Sequence, residues 1–216
     1  MMAMPLGIEL NVQQLSVPYA FWKRVLDVLV ASLLCLILLP LFLVIALLVK
    51  ATSHGPIIYM CRRVGKGGRT FRFVKFRTMY VDADKRLEQL LGSNEKDGPI
   101  FKMKNDPRIT PIGRFLRRTS LDELPQLLNV IRGSMSLVGP RPPLPREVEQ
   151  YDNFAAHRLA VKPGMTCYWQ IMGRSNLTFD EWMQLDHKYI EDMSFWTDLK
   201  ILMKTPAAIF RAEGAY

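Results

Sequence analysis

The chain of 216 residues is long enough for one domain with an appendage and too short for two full domains. Hydrophobic residues make up 49% of it and the mean hydropathy is +0.05, which is high for a wholly soluble protein. The three cysteines are few and odd in number and show no metal-ligand spacing. They therefore argue against a disulfide framework and fit a reducing compartment.

Residues 1–20 are predicted to form a short tail, and a long apolar segment follows them. Residues 28–49 contain no charged side chain and consist almost entirely of Leu, Val, Ile, Ala and Phe. This length matches the roughly 20 residues that a helix needs to cross a bilayer. It exceeds a signal-peptide core, and no small-residue cleavage site follows it. The segment therefore predicts a permanent membrane element.

Pro40 lies inside this apolar segment, where it removes a backbone hydrogen bond and bends the helix. A nearly straight segment would span the bilayer, whereas a sharply bent one would enter and leave on one face. Trp22, Lys23 and Arg24 suit an anchor at the level of the lipid headgroups. Lys50 adds positive charge on the other flank, which favours the bent form, but a Pro-kinked span stays open.

The net charge of +9 is concentrated in one part of the chain. Residues 61–118 hold 16 Lys and Arg against 6 Asp and Glu, while the other residues nearly balance. Such a patch attracts anionic lipid headgroups or nucleic acid. Because a membrane segment adjoins it, we expect lipid and nucleotide phosphates as partners and no nucleic acid.

Gly65, Gly67 and Gly68 mark a turn between two extended runs, residues 57–60 and 70–77. A hairpin is predicted here, with a phosphate cradle as the alternative, because no nucleotide-binding pattern follows.

Helices are predicted over residues 82–91, 179–193 and 195–210, and a basic helical stretch over 114–118. Residues 138–143, VGPRPP, must be extended, since each proline disfavours a helical residue before it.

The last predicted helix has one apolar face, with its charged residues outside that face. The apolar residues are Phe195, Leu199, Leu202 and Met203, and the charged residues are Asp198, Lys200 and Lys204. With Trp182 and Trp196 nearby, this face could lie on a membrane surface or pack against the domain core, and both readings stay open.

The most informative stretch is residues 119–142, TSLDELPQLLNVIRGSMSLVGPRP. Ser120 and Glu123 fit a helix-capping box, and leucines follow at helical spacing. That reading does not explain why Asp122 stands beside Glu123, or why basic residues surround the pair. These are Arg114, Arg117 and Arg118 before the acids and Arg141 between two prolines after them. An acidic pair among fixed cations suggests phosphate chemistry.

These residues resemble the signature of the bacterial sugar transferases, the monotopic polyprenyl-phosphate phosphoglycosyltransferases. Three further blocks resemble the family in the expected order: GPIIYMCRRVGKGGRTFRFVKFRTM, NDPRITPIGRFLRRTSLDE and KPGMTCYWQIMGRSN. Together they cover nearly everything from about residue 21 onwards. The visible departures are Cys61 in place of Gln, Cys167 in place of Gly, and Leu39 where some members have Ser.

The resemblance implies a re-entrant membrane helix and a cytosolic catalytic domain. We therefore predict an α+β fold that is mostly helical, with short strands and amphipathic interfacial helices. The predicted units are a tail (1–20), a Pro-kinked re-entrant membrane helix (21–52), a catalytic domain (53–178) and C-terminal amphipathic helices (179–216).

The resemblance also implies a two-step covalent mechanism. Asp122 attacks the sugar-proximal phosphorus of a UDP-sugar and releases UMP, and polyprenyl phosphate then attacks the phosphosugar-aspartyl enzyme. Asp122 and Glu123 are the predicted catalytic residues and the ligands of Mg²⁺. Arg117, Arg141 and Arg118 are the predicted phosphate-binding residues, with Arg117 and Arg141 preferred.

The implied partners are a UDP-sugar, polyprenyl phosphate and anionic membrane lipid, and a homodimer stays open. The implied location is the cytoplasmic face of the bacterial inner membrane, at the start of exopolysaccharide, capsule or glycan synthesis. The C-terminal block favours glucose or galactose as the sugar. The competing hypothesis is a non-catalytic scaffold that binds anionic lipid through its basic patch.

Overall fold

The computed structural model describes residues 17–173 and 177–211. Ten α-helices lie in these ranges: α1 Val17–Ile37, α2 Leu39–Thr52, α3 Ala83–Leu90, α4 Pro111–Arg118, α5 Leu127–Arg132, α6 Pro145–Val148, α7 Asn153–Ala156, α8 Tyr168–Met172, α9 Phe179–Glu191 and α10 Phe195–Arg211. The strands are β1 Ile58–Val64, β2 Thr70–Phe76, β3 Ser136–Val138 and β4 Gly164–Thr166, and short 3₁₀ turns include Leu121–Gln126. The fold is mostly helical with a few short strands, as predicted.

The apolar segment forms two helices that meet at a sharp bend. α1 and α2 are separated at Leu38 and bent by 63°, with Pro40 in the first turn of α2. Pro40 has no N–H to donate, so the helical ladder is interrupted where the sequence predicts it. No single helix among the described residues is long and apolar enough to cross a membrane, but this bent pair qualifies by length and composition.

The beginning of α1 is fixed to the rest of the protein by buried polar contacts. The Lys23 ammonium lies 2.6 Å from a carboxylate oxygen of Asp198 and also donates to the Val138 carbonyl at 3.1 Å. Arg24 donates to the carbonyls of Val130 and Ile131, both at 2.7 Å. Lys23 is buried among these acceptors, so the prediction that it lies at the lipid headgroups is wrong. Arg24 is partly buried and is also bound by the domain.

β1 and β2 form an antiparallel hairpin in which Ile58 pairs with Phe76 and Val64 with Thr70. Gly67 and Gly68 both have positive φ, 66° and 74°, in the turn between them. Glycine adopts this conformation without steric cost, so the three-glycine pattern encodes a turn. The hairpin prediction is confirmed, and these glycines do not line the cavity described below.

Three apolar clusters hold the described residues together. The first packs Trp169 of α8 against Trp182 of α9, with ring centroids 4.5 Å apart. The second joins β2 and β3 to Tyr189 and Ile201 in the last two helices. The third joins α2 to β2 and α4 around residues such as Phe76. The last two helices thus share a core with the region before residue 178.

α10 differs from its prediction. Asp198, predicted to lie outside the apolar face, is only 2% exposed, because Lys23 and two tyrosine hydroxyls bind its carboxylate. Ile201 is fully buried, whereas Trp196 and Met203 are more than 70% exposed. Trp182 lies in the core, so core packing, one of the two alternatives left open, holds for this residue. The exposed side of α10 therefore remains the candidate membrane face.

Replacing Lys23 with Met should destabilise the fold by about 3–5 kcal/mol, because the buried Asp198 carboxylate loses its cation. The double variant Lys23→Met/Asp198→Leu should recover most of this loss, since it leaves no uncompensated charge. Denaturant unfolding of the detergent-solubilised protein measures both values. Arg86→Met is the control, because the Arg86–Asp82 pair is exposed and should contribute about 1 kcal/mol or less. Equal losses in the single and double variants would contradict the assignment.

Candidate active site

A cavity of about 780 Å³ opens between the β1–β2 hairpin, α4, the 3₁₀ turn Leu121–Gln126 and the proline-rich segment after β3. Among the described residues its lining has nine basic and six acidic side chains. Asp122, Glu123, Arg117 and Arg141 all line it. Arg118 is exposed and lies outside the lining. Consecutive helical residues point about 100° apart, so Arg117 and Arg118 leave α4 in different directions.

The acidic pair does not sit in a capping box. Ser120 has a left-handed backbone, with φ 56°, and its side chain caps no N–H group. Glu123 instead donates its backbone N–H to the Ser120 carbonyl, at 3.2 Å. The predicted single helix is divided into a 3₁₀ turn and α5, because Pro125 lacks an N–H. The two acids therefore occupy a tight turn, and the capping-box reading is wrong.

Asp122 is almost fully buried, with 5% of its surface exposed. The nearest ionic partner is Lys75 on β2, whose Nζ lies 3.9 Å from Oδ2. Burial raises the pKa of the Asp122 carboxyl, and Glu123 adds to this, while Lys75 and Arg117 work in the opposite direction. Asp122 is thus a desolvated carboxyl group whose charged form depends on neighbouring cations.

Glu123 points to a different partner from Asp122. Its Oε1 accepts a hydrogen bond from Nη1 of Arg141 at 3.2 Å. The Glu123 side chain is 21% exposed and that of Arg141 38% exposed, so both can be reached from the cavity. The two adjacent acids are therefore distinguished by burial and by partner.

Arg117 is held by α4. This helix begins at Thr110, whose hydroxyl accepts from the Gly113 N–H at 3.0 Å, followed by Pro111 at the first helical position. At the other end, Arg117 donates through Nε to the Thr78 hydroxyl at 2.9 Å. Arg108 also lines the cavity, but both carboxylate oxygens of Asp106 accept hydrogen bonds from its guanidinium.

Two lysines that the sequence analysis did not assign also line the cavity. Burial, followed by the charge of Arg117, lowers the pKa of Lys75 to about 8. Burial, followed by Arg141 and Arg117, lowers the pKa of Lys102 to about 7. Lys75 alternates with the buried Val74 and Phe76 along β2, and its place in the FVKFRTM block is the only signal that marks it. Both lysines are therefore cations whose charge is opposed by burial and by neighbouring arginines, and a bound anion would favour their charged forms.

The carboxylates also limit how a metal could bind. The described residues contain no group of three or more His, Cys, Asp or Glu side chains suited to a metal ion. Asp122 and Glu123 together offer two carboxylates at the cavity wall. Mg²⁺ commonly binds through one or two carboxylates, substrate phosphates and water, so this donor set fits it only together with a phosphate ligand.

Three known proteins show how far the similarity of this chain extends. The exopolysaccharide production protein ExoY of Rhizobium meliloti (strain 1021) is 44% identical over 198 residues, 90% of this chain and 88% of that protein. The undecaprenyl-phosphate galactose phosphotransferase of Salmonella typhimurium is 44% identical over 204 residues, 91% of this chain but 42% of its own length. The UDP-glucose:undecaprenyl-phosphate glucose-1-phosphate transferase of Caulobacter vibrioides is 40% identical over 205 residues, covering 90% and 72% of the two chains.

The chain spans about two-fifths of the length of several curated relatives that it matches, the Salmonella protein among them. The family model described as bacterial sugar transferase matches residues 18–212, which include the whole cavity and the bent helix pair. With two carboxylates set among buried cations, and with this match along nearly its full length, the chain belongs to the bacterial sugar transferase family.

Proposed function

We propose that this protein transfers a hexose-1-phosphate from a UDP-sugar to polyprenyl phosphate and so begins the assembly of an exopolysaccharide, capsule or related glycan. The observation that carries the proposal is the cavity, in which Asp122 lies among Lys75, Arg117 and Arg141. Both substrates are phosphate anions, which such a site attracts. The names of the Salmonella and Caulobacter relatives support the same substrate classes.

The first step is an attack by the Asp122 carboxylate on the sugar-proximal phosphorus. A bond forms between an Asp122 oxygen and this phosphorus, and the bond to the bridging oxygen breaks, so that UMP leaves with the electron pair. In the second step a phosphate oxygen of the acceptor lipid attacks the same phosphorus and releases the Asp122 carboxylate. Carboxylate nucleophiles suit this chemistry because the acyl phosphate remains reactive.

The surrounding cations make both steps feasible. Lys75 faces Asp122, and Arg117 also favours the charged carboxylate. Arg141 can offer two parallel N–H groups to a phosphate, which a lysine cannot. Positive groups fixed in advance stabilise negative charge as it develops on the leaving UMP.

Mg²⁺ fits this site together with the diphosphate of the substrate. Asp122 and Glu123 would hold it, and it would neutralise charge on the phosphate oxygens. Glu123 accepts a hydrogen bond from Arg141 and would assist the acceptor in the second step.

The bent helix pair supports a re-entrant membrane anchor at the cytoplasmic face. Lys23 and Arg24 fix the start of α1 to the domain, and Arg77 donates to the Ser53 carbonyl just after α2. Both ends of the helix pair are thus bound to the same domain. Large apolar side chains on either side of the bend, such as Leu36 and Leu47, are exposed. An anionic lipid surface would also complement the excess of basic residues in 61–118.

The nucleophile can be tested by a matched pair of variants. Asp122→Asn should lower exchange of labelled UMP into UDP-sugar by roughly a thousandfold or more, because an amide cannot form the phosphosugar ester. Glu123→Gln should retain measurable exchange, since it removes an assisting group. Intact-protein mass spectrometry after incubation with UDP-glucose or UDP-galactose provides the second readout. A phosphosugar adduct on the Asp122→Asn protein would exclude Asp122, and a parent protein that releases no UMP would favour the scaffold hypothesis.

Arg141→Lys keeps the positive charge but removes the planar donor pair. We expect UMP release to fall at least about tenfold, with an unfolding midpoint close to that of the parent protein. Arg118→Lys is the matched control, because Arg118 lies in the same sequence block but outside the cavity. Equal activity of the two lysine variants would show that Arg141 does not bind phosphate.

The topology can be tested with single cysteines in a cysteine-free background. Val17→Cys and His54→Cys place exposed probes at the two ends of the bent pair. In intact cells neither should react with an impermeant maleimide, and both should react after permeabilisation. Labelling of the Val17 probe alone in intact cells would indicate a spanning segment. Pro40→Ala should straighten the pair and increase such labelling.

A further inference from the structure

The segment that carries Arg141 is held almost entirely through its carbonyl groups. Three of the four residues from Pro140 to Pro143 are prolines, which have no N–H to donate. Each of the four carbonyls accepts one hydrogen bond, and the four donors come from three separate parts of the chain. The donors are the Gly164 N–H to Pro140, Arg158 Nη2 to Arg141, Arg63 Nη1 to Pro142 and the Val64 N–H to Pro143, all at 2.9–3.0 Å.

The donor to the Arg141 carbonyl is itself fixed in place. Arg158 is 4% exposed, and its Nη2 lies 2.7 Å from a carboxylate oxygen of Asp186 on α9. Its Nη1 donates to the Tyr151 hydroxyl at 3.0 Å. Burial opposes the charge on Arg158, but Asp186 and Tyr151 more than offset it and raise the pKa of the guanidinium. The cation is therefore permanent and its plane is set by three partners.

The direction of the Arg141 side chain depends on how its backbone is held. The only side-chain hydrogen bond described for its guanidinium is the one to Glu123, at 3.2 Å. A single hydrogen bond does not fix the direction of a long side chain, so the orientation of the Arg141 backbone must also fix it. A small rotation of that peptide moves the guanidinium away from the place of the phosphate, and misplacement by about 1 Å can cost a hundredfold in rate.

We propose that Arg158, locked by Asp186, is a positioning residue that sets the direction of Arg141 towards the substrate phosphate. The inference rests on the proposed function, because it concerns the arginine that binds the transferred group. Arg158 Nη2 donates to the backbone carbonyl of Arg141, and the same nitrogen lies 2.7 Å from a carboxylate oxygen of Asp186.

The buried Arg158–Asp186 ion pair could instead contribute only to folding stability. Two substitutions at these positions separate that role from the positioning of Arg141. Arg158→Met/Asp186→Leu removes both charges, and replacing a buried pair with apolar residues of similar volume is often neutral for folding. The variant should therefore fold while leaving the Arg141 carbonyl without its donor. Arg158→Lys is the second variant, because it keeps a cation for Asp186 but cannot bond all three partners at once.

The test compares each change in the parent protein and in an Arg141→Ala background. UMP release from UDP-glucose or UDP-galactose gives kcat and KM, and thermal unfolding gives the midpoint. In the parent background, Arg158→Met/Asp186→Leu should lower kcat/KM by about ten- to a hundredfold. The loss should appear in the same constant, kcat or KM, that Arg141→Ala changes. In the Arg141→Ala background it should lose no more than about twofold, because its target is gone.

Tyr151→Phe is the matched control, since it removes another partner of Arg158 and leaves the bond to Arg141 intact. It should lose far less activity than either Arg158 variant. Equal fold losses with and without Arg141 would show that Arg158 acts independently, through stability or by touching the substrate, and would overturn the inference. Parent-like rates for both Arg158 variants would do the same. A parent protein without UMP release would instead contradict the proposed function itself, and this inference with it.

Discussion

The excess of positive charge around Asp122 is the constraint on which the rest of the site depends. Lys75, Arg117 and Arg141 come from a strand, a helix and an extended segment, and they all influence this one carboxyl group. Loss of water is the main cause of the lowered pKa values of Lys75 and Lys102, and repulsion from Arg117 and Arg141 adds to it. Such an arrangement persists only on a stiff framework, and a bound phosphate relieves it.

The framework is stiff because backbone elements approach each other closely. A Cβ atom on Gly113 would lie 2.0 Å from the Thr78 carbonyl oxygen, so only glycine lets α4 pack against the end of the hairpin. The same Thr78 accepts a hydrogen bond from Arg117 through its hydroxyl. One close contact therefore sets both the distance of α4 from β2 and the direction of Arg117. A larger residue at position 113 would displace the arginine together with its helix.

The sequence predicts the features that depend on neighbouring residues and misses those that depend on distant ones. The bend at Pro40 and the hairpin turn at Gly67 follow from local backbone chemistry, so both could be predicted. Asp198 and Lys23 are 175 residues apart, and no periodicity shows that one neutralises the other. Lys75 is likewise a plain basic residue in a strand until folding brings it to Asp122. Ser120 shows the converse error, because its capping pattern is real in sequence but its left-handed backbone prevents the cap.

The bent helix pair and the candidate active site meet at β3. Lys23 donates to the Val138 carbonyl, and Asp27, four residues further along α1, accepts from the Leu137 N–H at 2.9 Å and from the Ser136 hydroxyl. The strand that α1 grips in this way runs directly into the segment that carries Arg141. Prolines leave that segment few backbone donors of its own. Its position therefore depends on β3, which precedes it, and on Arg158, which donates to the Arg141 carbonyl. α1 is therefore connected to the segment that carries Arg141 through two buried polar residues, Lys23 and Asp27, and one strand.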